Sequence, residues 1–492
     1  MNTIHLKEAV ARNPQVRLAE PVSLDFGGDE HLVIMGPNGA GKTLLVNMIL
    51  GKYPLLKGEL TYDFSPLSSQ SVYECIKYLA FRDVSGMADG AYYQQRWNMH
   101  DQDEAPLVRD YLGPLAVQET VDGLFRYFKL DSLLDKKILL LSSGELRKVQ
   151  IVKALAAAPR VLILDNPFIG LDSEARDLLR HLLQELTELG CLQLVLVVSQ
   201  PHDIPDFITH VVPVDERRVG PKLDAETFRA TFQVYDAEIR EAEKSVFQSV
   251  RQHILDLSYS NRTPLETDEV VTFNRVSICY GEHTIFKDLD WTVHKGERWA
   301  LSGENGSGKS TLLSLVCADN PQSYACDIAL FGRKRGSGES IWDIKKRIGY
   351  VSPEMHRSYL KNLPAIEIVA SGLHDSIGLY KKTKPEDFAI CQWWMEIFGV
   401  GHLRDKLFLQ LSDGEQRLLL LARAFVKDPE LLILDEPMHG LDVFNRRRLK
   451  VILEAFCERK DKTLIMVTHE EEEWPACITH HLKIVSNKNK YE

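Results

Sequence analysis

Two short stretches of this 492-residue chain, GPNGAGKT (36–43) and GENGSGKS (303–310), share the form G-x-x-x-x-G-K-[ST]. Each follows an apolar run and opens a helix-like one, the context in which such a loop holds phosphate. Its glycines let successive backbone N–H groups converge on one anion, and the helix N-terminus adds positive potential. The spacing assigns phosphate contacts to Gly36, Asn38, Gly39, Gly41, Lys42 and Thr43. In the second copy it assigns them to Gly303, Asn305, Gly306, Gly308, Lys309, Ser310 and Thr311. Lys42 and Lys309 would reach the outer phosphates of a nucleotide, and Thr43 and Ser310 would offer hydroxyls to Mg2+. Further on, VLILDNPFIGLD (161–172) and LLILDEPMHGLD (431–442) end an apolar run on Asp165 and Asp435. A carboxylate at the tip of a buried parallel strand suits Mg2+, usually through water; a helix N-cap is the other reading open to it. The next letter separates the copies, Asn166 in the first and Glu436 in the second.

The elements that position these residues are themselves repeated. LSSGELRKVQ (141–150) returns as LSDGEQRLLL (411–420). Lys42 to Ser142 is 100 residues and Lys309 to Ser412 is 103, while Ser142 to Asp165 and Ser412 to Asp435 are both 23. Motifs kept in order at matched spacing predict two copies of one domain, over 1–215 and 270–492. Residues 225–258, between them, carry Phe228, Phe232, Ile239, Val246, Val250, Ile254 and Leu257 at helical intervals, which predicts a packed helix within a linker at 216–269. Strand-like runs such as HLVIM, VLILD and LVLVV alternate with helical segments in each copy, so the expected fold is α/β with a mostly parallel sheet.

Composition narrows the function classes. A net charge of −11 gives no footprint for a polyanion, so no nucleic-acid partner is expected. Eight cysteines without a CxxC pair fit reduced thiols in a cytoplasmic protein rather than a disulfide frame or a zinc site. The start, MNTIHLKEAVARNP, lacks a signal peptide's apolar core, and no apolar run approaches the ~20 residues of a membrane helix. Work at a membrane would proceed from its inner surface, through a partner.

Phosphate loop, LSSGE or LSDGEQ, LILD followed by Asn or Glu, then GLD, is the pattern of the ATP-binding cassette superfamily, which both halves resemble. The resemblance implies two tandem P-loop NTPase domains, each with a helical subdomain, hydrolysing ATP with Mg2+. It also implies head-to-tail pairing of the two domains, each ATP lying between one phosphate loop and the other domain's signature loop. The signature residues are Ser142, Gly144 and Glu145, and Ser412, Gly414 and Glu415. Tyr280 falls where the family stacks an aromatic on adenine, though alone it reads as a packed strand aromatic. His469 falls where the family places a γ-phosphate histidine, and Glu436 where it polarises the attacking water. In the first half Asn166 replaces that carboxylate, Gln200 takes the histidine slot with His202 two residues on, and AVARNPQV offers no aromatic. The expectation is one hydrolytic site and one degenerate site that still binds ATP; the other reading is that Asn166 is a tolerated loop variant and both sites turn over.

Both halves lack the superfamily's glutamine after the strand before the helical subdomain. Phe81 and Pro353 occupy that slot, with Gln94, Gln95 and Glu354 as stand-ins. LFGRKRGSGESIWDIKKRIGYVS (330–352), GERWALSGENG (296–306) and WPACITHHL (474–482) resemble the ModF-type molybdate-transport ATP-binding proteins, also called photorepair proteins. That group implies a membrane permease subunit as partner and an oxyanion as cargo, and a complete first site, from which Asn166 departs. Two other classes are weighed beside it. A soluble tandem ATPase of translation or DNA repair predicts a basic linker and a long charged arm, which this chain does not show. A non-enzymatic ATP-responsive regulator requires a dead second site.

Overall fold

A computed structural model describes residues 2–65, 71–81, 106–113, 130–138, 143–169, 171, 173–188, 192–257, 267–280, 283–303, 307–376, 384–468 and 471–484, with single positions between. The chain divides into two units, Met1–Glu238 and Ile239–Glu492.

In the first unit β1 (Asn2–Ala11) pairs antiparallel with β2 (Val22–Gly27) and β4 (Leu55–Tyr62). The main sheet uses β3 (Leu32–Met35), β5 (Ile76–Ala80), β6 (Val161–Asp165), β7 (Gln193–Val198) and β8 (His210–Asp215). These run parallel in the order β8-β3-β7-β6-β5. Strands buried on both faces have no polar side to show, which is why VLILD and LVLVV read as continuous apolar runs. Leu162, Leu164, Leu194 and Leu196 join one core cluster, while Val161, Ile163, Val195 and Val197 join the other. Around the sheet run α1 (Lys42–Ile49), α2 (Ser143–Leu155) and α3 (Ser173–Glu188).

Helix α4 (Ala225–Leu255) carries the division between units. Ala225 and Phe228 belong to a core cluster of the first unit, and Val250 and Ile254 to one of the second.

The second unit repeats the plan. An antiparallel sheet joins β9 (Glu269–Tyr280), β10 (His283–His294), β12 (Ile328–Leu330) and β13 (Arg333–Lys334). The parallel sheet uses β11 (Arg298–Ser302), β14 (Ile348–Val351), β15 (Leu431–Asp435), β16 (Thr463–Val467) and β17 (His480–Lys483), in the order β17-β11-β16-β15-β14. Position by position this is the first unit's order. The helices are α5 (Lys309–Val316), α6 (Pro353–Ser358), α7 (Ala365–Ala370), α8 (Pro385–Ile397), α9 (Asp413–Phe425) and α10 (Val443–Glu458). Trp394, Phe398, Phe425 and Phe456 pack as a run of aromatic contacts between α8, α9 and α10.

Candidate nucleotide sites

Each phosphate loop leaves a buried strand and turns into a helix through a glycine no other residue replaces cheaply. Gly41 and Gly308 precede α1 and α5 with φ of 102° and 104°, the left-handed region. At Gly36 and Gly303 the backbone of the neighbouring strand's end comes so close that a Cβ would lie 1.9 Å from Val214 O and 2.3 Å from Ile484 O. Lys42 and Lys309 are both buried. Lys42 Nζ donates to Gly36 O (2.7 Å), Pro37 O (2.9 Å) and Ser199 Oγ (3.1 Å), and Lys309 Nζ donates to Gly303 O (2.6 Å). Thr43 and Ser310 are exposed on the first helical turns, Thr311 is half-buried and Gly39 adopts φ 78°. Asn305 and Gly306 lie outside the described residues.

Asp165 and Asp435 end β6 and β15 at equivalent positions, but their surroundings differ. Tyr78 Oη donates to Asp165 Oδ2 at 2.8 Å. Asp435 is pushed up to about 7, chiefly by desolvation, then by Glu436 and Glu354, with Lys309 and Arg417 opposing. That excess of negative charge at the strand end fits a divalent cation. Glu354 lies in the first turn of α6, whose N-cap Ser352 follows β14. Phe81 is buried and its N–H donates to Asp165 O at 2.9 Å, while Pro353 opens α6. Gln94 and Gln95 lie outside the described residues.

Asn166 and Glu436 each donate their N–H across the sheet, to Val197 O (2.8 Å) and Val467 O (2.9 Å), and both are left-handed, with φ of 53° and 48°. This conformation costs an ordinary residue about 1–2 kcal/mol, and asparagine is among the few that visit it readily. Asparagine thus suits the backbone at this turn, and the glutamate is held there against its preference. Glu436→Asn should raise the thermal midpoint of the second unit by roughly 2–4 °C, and Glu436→Gln should not. Calorimetry of the two variants checks this.

The sheet register corrects one expectation. Asp165 pairs with Val197 and Asp435 with Val467. His469, two places past Val467, lies outside the described residues; its counterpart two places past Val197 is Ser199, not Gln200. Ser199 accepts from Lys42 and donates to Asn38 Oδ1 at 3.1 Å, so the slot holds a hydroxyl tied into the phosphate loop. Gln200 is buried and caps the turn Pro201–Asp203, where His202 stands 3.6 Å from Asp203.

At the signature, Ser412 caps α9. Its N–H (2.8 Å) and hydroxyl (2.7 Å) both donate to Glu415, and Gly414 is buried behind them. In the first unit Glu145 accepts from Lys136 at 3.0 Å, and a Cβ on Gly144 would meet Ala175 at 3.4 Å. Ser142 lies outside the described residues. Tyr280 ends β9 with its ring partly exposed, and its hydroxyl accepts from Asn320 Nδ2 at 3.0 Å, just beyond α5.

Two features escaped the sequence reading. Arg147 and Arg417, buried on the signature helices, reach the turn after the acidic strand: Arg147 donates to Pro167 O (2.5 Å) and to Ile169 O, and Arg417 to Glu436 O. Both copies carry the arginine at the same place in the signature, which was the available signal. His439 Nδ1 lies 3.9 Å from Glu436 Oε2, and the first unit has Ile169 at that position.

The family model described as ABC transporter matches residues 19–169 and 286–439. The chain belongs to the ABC transporter family. It is 33% identical to the ABC transporter ATP-binding protein ModF of Escherichia coli, over 100% of this chain and 98% of that protein. It is 29% identical to an uncharacterized ABC transporter ATP-binding protein of Schizosaccharomyces pombe, over 96% and 95% of the two chains. Among solved structures, a model of ribosome-bound archaeal Pelota and ABCE1 aligns with a TM-score of 0.57 at 19% identity, covering 94% of this chain and 73% of that one, a likeness of fold. The ABC chain is therefore an ATPase with two ATP-binding cassettes on the expected α/β frame. Among the described residues no helix is long and apolar enough to cross a membrane.

Proposed function

We propose that this chain is the ATP-binding component of a membrane transporter in which the second unit's residues turn ATP over while the first unit's hold it. The observation that carries the reading is the contrast at the strand ends. Glu436 stands with Asp435 and His439, whereas Asn166 stands with a hydroxyl-bonded Asp165 and Ile169. Backbone N–H groups of the loop and Lys309 bind and orient the phosphates. Lys309 exchanges the Gly303 carbonyl for a phosphate oxygen when the nucleotide arrives. Asp435 and Ser310 would hold Mg2+, which supplies charge neutralisation on the phosphate oxygens. The Glu436 carboxylate takes the proton of the attacking water, with His469, two residues past Val467 in the sequence, assisting at the γ-phosphate. The Asn166 amide has no basic site for that proton at neutral pH. Lys42, Thr43 and Asp165 keep the binding function in the first unit.

ModF-type resemblance suggests molybdate or a related oxyanion as cargo. An ATP-binding component leaves recognition of the cargo to its partner. The partner is tested by purification from detergent-solubilised membranes of the Glu436→Gln variant loaded with ATP. Co-purification of a permease-type membrane subunit supports transport, whereas ribosomal or DNA-repair proteins in its place overturn it.

A further inference from the structure

Cys457 is buried in the last turn of α10, and Cys477 is half-buried in the turn before β17. Three hydrogen bonds hold these segments face to face. Ala476 N–H donates to Glu454 Oε1 at 3.0 Å, Thr479 N–H donates to Arg298 O at 2.9 Å, and the Arg298 guanidinium donates to the Cys457 carbonyl. Cys477 packs against the apolar cluster that contains Cys457. The interaction between the two thiols draws Cys477 below the usual thiol value, with Arg298 adding to it, and drives Cys457 well above it, with burial adding and Arg298 opposing. An accessible thiol of lowered pKa beside a buried second thiol is the arrangement of redox-responsive pairs. The corresponding positions of the first unit are Thr187 and Phe207, so the pair belongs to the second unit alone.

We propose that Cys457 and Cys477 form a reversible disulfide, with a low-molecular-weight disulfide as oxidant. The Cys477 thiolate attacks one sulfur of the oxidant and expels the other half as a thiolate. Cys457, its proton passed to that departing thiolate, attacks the Cys477 sulfur of the mixed disulfide and expels the second half. The second thiolate takes up the proton Cys477 gave to solvent. Two protein thiols become one disulfide, and the oxidant becomes two thiols. The crosslink staples the end of α10 to the segment entering β17, on the stretch of chain that runs from the strand beside Glu436.

The test is non-reducing peptide mapping of the native full-length chain after exposure to oxidised glutathione. The Cys457–Cys477 peptide pair should appear before any other linkage and vanish with dithiothreitol. In Cys457→Ser, glutathione should remain on Cys477, and in Cys477→Ser neither residue should be modified. Stable glutathione on Cys477 of the wild type, or a linked pair seen only after denaturation, overturns the proposal. If Cys457→Ser fails to fold, the wild-type map and Cys477→Ser decide it.

Discussion

Glu436→Gln lowers steady-state ATP turnover by about 10²–10⁴-fold, the usual worth of general-base assistance, or about 3–5 kcal/mol of barrier. Asn166→Ala stays within about two-fold of wild type, because an amide that takes no proton in the reaction has no barrier contribution to lose. Phosphate release under saturating Mg-ATP checks both. The glutamine substitution keeps the shape of the side chain and removes only its basicity, so the loss reads proton transfer rather than folding. Comparable turnover in wild type and Glu436→Gln would mean that the first unit's residues carry the reaction.

The second large effect concerns stability. Asp428 is buried just before β15, where Arg459 meets both of its oxygens (2.6 and 2.9 Å) and Lys462 reaches it at 3.0 Å. Lys462 has no exposed side-chain surface, and burial pulls its pKa below the ordinary value with Asp428 opposing. Asp428→Ala strands these cations, which costs about 3–5 kcal/mol, a drop of roughly 10 °C in the second unit's thermal midpoint. The sign with pH follows from Lys462. Its folded pKa falls further once the carboxylate is gone, so the unfolded chain binds the extra proton. The variant's deficit therefore shrinks as pH rises toward the unfolded lysine value. The first unit has Ala158, which is exposed, and Leu192, which joins its apolar core, at the equivalent places. Asp428→Ala combined with Lys462→Leu should recover the part of the loss that comes from Lys462, because a leucine leaves no buried ammonium unpaired, while Arg459 still lacks its carboxylate. Calorimetry of the single and double variants across pH 7 to 10 measures this.

What the sequence disclosed and what it withheld divide along physical lines. The phosphate loops, the acidic strand ends and the repeat are contiguous patterns, fixed by local backbone demands such as the left-handed glycines 41 and 308. Strand order follows once both copies are seen to alternate apolar runs with helices. Ser199 was legible in principle, since it follows Asp165 by the same 34 residues that separate His469 from Asp435, and parallel pairing fixes that register. His439, Arg147 and Arg417 act through contacts between elements far apart in sequence. Cys457 and Cys477 looked scattered because only the meeting of α10 with the turn before β17 brings them together. The left-handed turn at Asn166 and Glu436 was invisible in the letters, and it carries a backbone cost for the glutamate that is smaller for the asparagine.

The central claim is that one set of nucleotide residues keeps ATP while the other consumes it. It is tested most directly by loading the chain with labelled Mg-ATP, removing free nucleotide and following the identity of what stays bound. A single ATP per chain should remain uncleaved over many turnover times, be lost in Lys42→Ala and be kept in Lys309→Ala. Bound nucleotide converted to ADP at the rate of steady-state turnover, or retention that depends on Lys309 and not on Lys42, would contradict it.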